Sequence, residues 1–346
     1  ILYIQPIEGM DGMILANIAK ELGIPLAVPH HTRWLGLTFF ASEPQEILPT
    51  CSRFTKEDLQ WAEEFLHLFR CKIEKIVAEN PSCKSEIAKH EFPPRIQRAK
   101  GYIYRLFKEP QNRELSTLQI SLLNNWVPFY FRARMWLRKV LNKKYFNCND
   151  FTKLPSKFVF FPLQYSPESS INVPAPYFID QMRVIDAIRL SMPGDKKLVV
   201  KEHPVCLRVR PKSFMKKLLH TAGVVVVKYN EDTQKLIENA EITISVTGTA
   251  ALEAYLSKKP SLVMGPTFFS AFLDGQCCID ELKTRIVNAD NKKISDDEII
   301  QNIAKVRAVS SDFVAHAPSK SDNRMMRVDN IEQFWKEFLI HVERQK

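Results

Sequence analysis

Between residues 201 and 253 the chain carries a cation, an imidazole, several hydroxyls and a carboxylate at the ends of short apolar runs. Lys201-Glu202-His203-Pro204 closes one such run, and Ser245-Val246-Thr247-Gly248-Thr249 closes a later one. The second motif passes into Ala250-Ala251-Leu252-Glu253, which reads as a helix start. A small-residue turn between a strand and a helix presents backbone N–H groups and a positive dipole end to an anion. Pro204 cannot donate to a strand ladder, so it ends the strand and holds His203 at the rim. Ligands of open α/β sheets bind outside the carboxyl ends of the strands, where both motifs would lie. His203 and Lys201 are therefore expected to contact a phosphate or a sugar carboxylate. Glu253, one turn into the helix, is placed to accept hydrogen bonds from ribose hydroxyls. The chemistry expected of this set is that of a donor pocket for a nucleotide sugar.

Carboxylates able to act on a substrate lie in two other loops. Gln164-Tyr165-Ser166-Pro167-Glu168-Ser169-Ser170 follows an expected strand over 158–163 and brings an amide, a carboxylate and hydroxyls to the same rim. Glu168 has the chemistry of a general base or a nucleophile; the alternative is a loop that only caps the next turn. Glu8 and Asp11, set among glycines after the first strand, are placed to take a proton from an acceptor hydroxyl. Asp11 could instead cap the following helix. His30, His31 and Arg33 follow the second strand and read equally as contacts to an anionic acceptor or as a solvated loop. No H-x-x-H or H-E-x-x-H spacing occurs, so no metal site is expected.

The elements that must position these groups can be read from periodicity. The first residues give strand 1–5, a glycine-containing loop, helix 13–22 and strand 24–28, a βαβ start that implies a parallel sheet. Residues 55 to 145 lose strand character. A capping pattern at Thr55–Asp58 starts a helix to about residue 80, and further helical stretches lie near 84–107 and 114–145, with breaks at Pro93-Pro94 and Pro128. From residue 157 short apolar strands alternate with helices. The strands fall at 158–163, 197–201, 224–227, 242–246 and 261–263, the pattern of a doubly wound parallel α/β domain. Helices over 296–307 and 330–344 close the chain. The expected organisation is an acceptor-side domain over 1–150, a nucleotide-sugar domain over 151–328, and a helix over 329–346 packing back on the first domain.

Composition narrows the partners. The chain has 346 residues, a formal charge of +10, 45% hydrophobic and 25% charged residues, ordinary for a soluble globular protein and suited to anionic ligands. Nucleic acid is not expected, because no zinc-ligand array or RNP-type aromatic motif is present. The seven cysteines include no C-x-x-C pair and read as reduced thiols. With no apolar run near the ~18 residues that span a bilayer and no visible signal peptide, the expected location is the cytoplasm. Residues 126–144 interleave aromatics with Arg132, Arg134, Arg138, Lys139, Lys143 and Lys144. That suits a peripheral contact with acidic lipid at the inner membrane. It also suits an amphipathic helix whose aromatics enter a core while its cations face water, the reading favoured here.

Three blocks in order resemble the bacterial capsule polysaccharide biosynthesis family, whose best understood members are Kdo transferases using CMP-activated Kdo. They are Pro162-Leu163-Gln164 with Glu168-Ser169-Ser170-Ile171, then Lys201-Glu202-His203-Pro204, then Ser245–Ala254 with Lys259-Pro260 and Gly265-Pro266. The resemblance implies a GT-B fold with two Rossmann-like domains facing a cleft, the C-terminal one holding the nucleotide. It implies that His203-Pro204 contacts the CMP phosphate and that 245–249 is a phosphate-binding turn. Glu168 stands where retaining Kdo transferases of this type have a catalytic Asp. The function implied is a metal-independent transferase, needing no cofactor, that moves Kdo or a related acidic sugar from a CMP-sugar to a glycan or glycolipid acceptor. A UDP-sugar transferase and a non-catalytic glycan- or nucleotide-binding subunit are the alternatives. An NAD-type oxidoreductase is disfavoured, since no G-x-G-x-x-G follows an expected strand.

Overall fold

The computed structural model describes residues 1–5, 10–32, 37–51, 53–71, 123–148, 150–165, 169–291, 293–315 and 324–345. The chain runs β1 (Leu2–Tyr3), α1 (Met10–Glu21), β2 (Leu26–His31), β3 (Leu37–Ala41), α2 (Lys56–Arg70) and α3 (Leu123–Asn142). The alternating part follows as β4 (Phe158–Pro162), α4 (Ser169–Asn172), α5 (Gln181–Ser191), β5 (Lys197–Lys201), α6 (Lys212–His220), β6 (Val224–Val227) and α7 (Thr233–Asn239). Next come β7 (Ile242–Ser245), α8 (Ala250–Leu256), β8 (Ser261–Val263), α9 (Leu282–Val287) and α10 (Asp296–Val309). The chain closes with β9 (Ser311–Asp312) and α11 (Val328–Arg344). The protein is α/β, and its described residues form two sheets.

The larger sheet has the order β6-β5-β4-β7-β8, and every pair in it is parallel. β4, β6 and the middle of β5 read as apolar runs because both faces are covered, and β7 keeps its Thr243 and Ser245 buried as well. Val159, Phe161, Leu198, Val200 and Ile244 pack with Ile185 and Ile188 of α5, Leu218 of α6 and Leu282 and Ile286 of α9. The alternate residues Phe158, Phe160 and Val199 pack on the other face with Leu236 and Ile237 of α7 and Ala250 and Ala254 of α8. The chain builds β4, β5 and β6 outward in one direction, then returns to lay β7 and β8 on the other side of β4. The reversal opens a crevice between the carboxyl ends of β4 and β7, the position where ligands of such sheets bind.

The smaller sheet has the order β1-β2-β3-β9. The β1–β2 pair is parallel, as the βαβ start implies. The rest differs from the expectation of a parallel sheet, because β3 and β9 run antiparallel to their neighbours. Leu37-Thr38-Phe39-Phe40-Ala41 is buried throughout and pairs with Val28–His31. His30 and His31 therefore belong to strand β2, not to a loop after it; Arg33 lies outside the described residues. α1 covers one face through Ala16 and Ala19. Phe334 and Phe338 of α11 cover the other, against Tyr3 and Phe40, and His341 Nε2 lies 3.0 Å from the Leu26 carbonyl.

The helical block before residue 150 packs largely on the larger sheet's side. α2 starts at the expected capping box, Thr55 and Asp58, and buries Ala62, Phe65, Leu66 and Phe69 against Leu252, Tyr255, Ile299 and Ile303. Arg70 donates to the Leu256 carbonyl at 3.1 and 3.2 Å. The stretch expected near 84–107 lies outside the described residues. α3 continues through Pro128, which does not break it. Its cations and apolar residues do not separate as the packing reading requires: Trp136, Leu137 and Val140 are exposed beside exposed Arg134, while Asn142 is buried. Among the described residues no helix is long and apolar enough to cross a membrane.

Phe161 is fully buried in the central strand of the larger sheet. Phe161→Ala should cost about 3–5 kcal/mol, read as a lowered urea midpoint with the denaturant slope unchanged.

Candidate functional site

Strand order brings the two motifs together. β4 lies between β5 and β7, so Gln164 after β4, His203 after β5 and Thr247 after β7 end on neighbouring strands. The residues that fix their geometry begin with a buried ion pair. Arg210 Nε donates to Glu202 Oε2 at 2.8 Å, and its Nη2 donates to Glu202 Oε1 at 3.1 Å and to the Gln164 carbonyl at 3.1 Å. Glu202 Oε1 also accepts from the His203 N–H at 2.8 Å. Burial pushes the Glu202 carboxyl up, and the Arg210 guanidinium and the His203 N–H oppose that; the bidentate geometry is that of an ionised pair. From below, the side-chain amide of Asn142 donates to the carbonyls of Leu207 at 2.8 Å and Arg210 at 2.9 Å. The loop from His203 to Arg210 is thereby tied to β4, to β5 and to the end of α3.

His203 stands on this base. Its Nδ1 accepts from the Val205 N–H at 3.3 Å, which leaves the proton of a neutral ring on Nε2. Burial, then the charges of Lys201 and Arg210, hold its pKa down at about 4. At neutral pH the ring is an uncharged donor. The Tyr165 ring lies beside it, centroids 5.9 Å apart. Lys201 Nζ donates to Thr233 Oγ1 at 2.5 Å. Burial lowers its pKa, against the attraction of Asp232, Glu253 and Glu231.

Across the crevice, Ser245 Oγ donates to the Gly248 carbonyl at 2.9 Å, and Thr249 Oγ1 donates to Glu253 Oε1 at 3.2 Å. Burial pushes the Glu253 carboxyl up to about 7, with the Thr249 hydrogen bond and the Lys201 charge pulling the other way. Lys201 and Glu253, from different strands' ends, thus sense one another. The seven-residue α8 starts at Thr249, which makes no side-chain cap.

Gln164 reaches into the turn after β7. With its carbonyl directed there, that oxygen accepts from the N–H groups of Val246 at 3.1 Å, Thr247 at 2.7 Å and Gly248 at 2.5 Å, and the NH2 donates to Thr247 Oγ1 at 3.1 Å. The reverse orientation would set a donor against three donors. The Gln164 backbone is held in turn by the Gln181 amide, at 2.9 and 3.1 Å.

The structure therefore gathers Gln164, Lys201, His203, Ser245, Thr247, Gly248, Thr249 and Glu253 at one rim, with Pro204 exposed beside them. Ser169 and Ser170 open α4 in the same rim segment. Glu168 and Glu8 lie outside the described residues. Asp11 is exposed in the first turn of α1 and inside the helix, so it is not the cap. His31 is turned to Thr38, 2.7 Å from its Oγ1, and His30 lies against Phe39. Sequence reading missed Arg210, Asn142, Gln181, Thr233 and Tyr165. For Arg210 there was a signal: a glutamate at the end of an apolar strand needs a buried cation, and Arg208 and Arg210 are the nearest ones downstream.

Arg210→Met should leave Glu202 buried and uncompensated and cost about 3–5 kcal/mol, whereas Glu202→Gln with Arg210→Met should recover much of that loss in the same denaturation measurement. Glu253 supplies a pH signature. Its folded pKa, about 7, lies above the usual carboxylate value, so the proton stabilises the fold at low pH and that contribution fades as pH rises from about 4.5 to about 7. His203, with a lowered pKa, contributes the opposite slope between about 4 and about 6.5. The difference in thermal midpoint between wild type and Glu253→Gln should therefore change over pH 4.5–7; a pH-independent difference would contradict the assignment.

Residues 137–306 match the model of the capsule polysaccharide biosynthesis protein family. No curated protein matches the chain. Among solved structures, the chain is similar to KpsC of Thermosulfurimonas dismutans, described as a beta Kdo 2,7 transferase, at 17% identity and a TM-score of 0.29, over 51% of this chain and 66% of that one. It is similar to the beta Kdo 2,4 transferase of the same KpsC at 12% identity and a TM-score of 0.39, over 87% of this chain and 86% of that one. A UDP-GlcNAc 2-epimerase of Methanocaldococcus jannaschii, in complex with UDP-GlcNAc and UDP, matches at 15% identity and a TM-score of 0.33, over 50% of this chain and 51% of that one. The chain thus spans just under two-thirds of the first of these structures and about half of the epimerase. The likeness to the capsule polysaccharide biosynthesis protein family is confined to residues 137–306, just under half of the chain.

Proposed function

We propose that the protein is a glycosyltransferase of GT-B type that takes Kdo or a related acidic sugar from a CMP-activated donor and transfers it to a surface-polysaccharide or glycolipid acceptor. The observation that carries this reading is the convergence of His203, Lys201 and the Thr249–Glu253 pair at the reversal point of a parallel sheet. A nucleoside monophosphate leaving group develops negative charge as the glycosidic bond breaks. The Nε2–H of His203 and the Lys201 ammonium are preorganised donors for that charge, held in place before the donor arrives. Glu253, protonated over part of the neutral range, can both donate to and accept from ribose hydroxyls. Among the described residues the rim offers the Lys201 cation beside the neutral His203 donor, a set suited to the smaller charge of a CMP leaving group.

The carboxylate that meets the sugar or the acceptor is proposed to be Glu168, with Glu8 and Asp11 as the acceptor-side candidates. Val173, just after α4, packs on the buried cluster of Ile4, Ala16, Ala19, Leu26 and Val28, so the segment after one of these loops meets the core beside the other. The reaction needs no metal in this scheme, because His203 and Lys201 take the leaving phosphate. We place the enzyme on the cytoplasmic face of the inner membrane. What supports this is the exposed Trp136, Leu137 and Val140 on a helix with no acidic residue from Leu123 to Asn142, composition suited to anionic lipid.

CMP should raise the thermal midpoint more than UDP or GDP, and His203→Ala should weaken CMP by about 1.5–3 kcal/mol, the worth of a hydrogen bond to a charged group, without lowering the midpoint of the free protein. Equal shifts from all three nucleotides would remove the CMP assignment. Early unfolding of His203→Ala with unchanged affinity would make the histidine structural. Glu168→Gln should keep CMP binding and lose about a hundredfold or more in turnover; unchanged turnover would transfer the role to Glu8 or Asp11.

A further inference from the structure

The turn after β7 looks at first like a phosphate cradle, since three successive N–H groups converge there. Convergent N–H groups of this kind do bind anions. Here one side chain of the protein meets all three: the Gln164 carbonyl accepts from Val246, Thr247 and Gly248. Gln164 is 8% exposed and Thr247 2%, and a Cβ added to Gly248 would come within 2.9 Å of the Gln164 amide. The rest of Gln164 is fixed as firmly. Its backbone N–H and carbonyl are bracketed by the Gln181 amide, and the carbonyl also takes Arg210. To release the turn, a phosphate would have to break a connection joined to β4, β5 and α5 at once.

We propose that Gln164 is a positioning residue that ties the 246–248 turn to the Arg210 network, so that donor phosphate is held by the side chains of His203 and Lys201 and not by the N–H groups of that turn. This deepens the donor-site reading and rests on it. The consequence is specific. The side chain acts as an acceptor toward the protein, not as a donor toward the ligand. A carboxylate at this position would accept the same three N–H groups, and such bonding favours its charged form. Were the amide instead to contact the phosphate, a carboxylate there would repel it.

The experiment compares Gln164→Glu and Gln164→Leu with wild type, reading CMP affinity by calorimetry and backbone amide exchange at Val246, Thr247 and Gly248. Gln164→Leu should speed exchange at all three amides and weaken CMP about tenfold or more, as displaced site geometry does. Gln164→Glu should keep exchange slow and hold CMP affinity within about threefold of wild type. Unchanged exchange or unchanged affinity in Gln164→Leu overturns the proposal, and so does a loss in Gln164→Glu as large as in Gln164→Leu. Should Gln164→Leu fail to fold, Gly248→Ala replaces it, since its Cβ displaces the amide; slow exchange with full affinity in that variant overturns the proposal too. If wild type binds none of CMP, UDP and GDP, the donor reading and the phosphate assignment fall with it, and the tie between Gln164 and the turn is judged by amide exchange alone.

Discussion

The ion pair between Arg210 and Glu202 joins the two strand ends on which the rim is built. A guanidinium is planar, and its fork can serve a carboxylate on one edge while reaching a carbonyl beyond it. Arg210 uses that shape to hold Glu202 at the end of β5 and Gln164 at the end of β4 together. Through Glu202 it fixes the His203 N–H; through Gln164 it fixes the turn after β7. A buried ion pair is weak evidence for net stability, because desolvation offsets most of the attraction. Its value here is geometric. Two apolar residues could fill the same volume, but neither could set the direction of an imidazole and an amide in neighbouring loops.

The same pair shapes the electrostatics. Burial, then the positive charges of Lys201 and Arg210, keeps a second proton off the His203 imidazole, and the Val205 N–H decides which nitrogen carries the one that remains. On the facing side, burial keeps a proton on Glu253 well into the neutral range. The crevice therefore holds two titratable groups whose shifts run in opposite directions, both toward the neutral form. Lys201 adds a cation to the rim, and burial lowers its pKa as well. In the proposed donor complex a phosphate would favour the protonated forms of His203 and Lys201 and reinforce the neutral form of Glu253. Under the proposed function, donor binding would therefore be coupled to proton uptake at these groups.

How legible this was in the sequence follows from the kind of interaction involved. The strands of the larger sheet are mostly apolar runs because both faces are buried, and such runs separated by short helices are readable without contacts. His203 and the 245–249 turn were readable for the same reason, as polar residues at the ends of those runs. β3 was missed: Leu37–Ala41 has the right composition, but its antiparallel pairing with β2 depends on residues that come together only in the fold. Arg210, Asn142 and Gln181 act through partners at long sequence separation, and Asn142 sits 65 and 68 residues before the carbonyls it holds. Gln164 was identified as part of the site, yet the direction of its amide could not be read from one dimension.

Topology explains why so few residues suffice. Because β4 is laid down first and then flanked by β5 on one side and β7 on the other, the chain must leave its carboxyl end in a crevice that no crossover helix fills. Any polar residue just past β4, β5 or β7 then faces that crevice. The remaining requirement is that the three loops keep fixed positions relative to one another. Backbone pairing runs out just past the strand ends, with the Leu163 N–H on the Lys201 carbonyl and the Gly265 N–H on the Val246 carbonyl, and beyond those points side chains continue the work of the sheet. Gln164, Gln181, Glu202 and Arg210 are those side chains. They extend the hydrogen-bonded order of the sheet into the loops, beside the side chains of His203, Lys201 and Glu253.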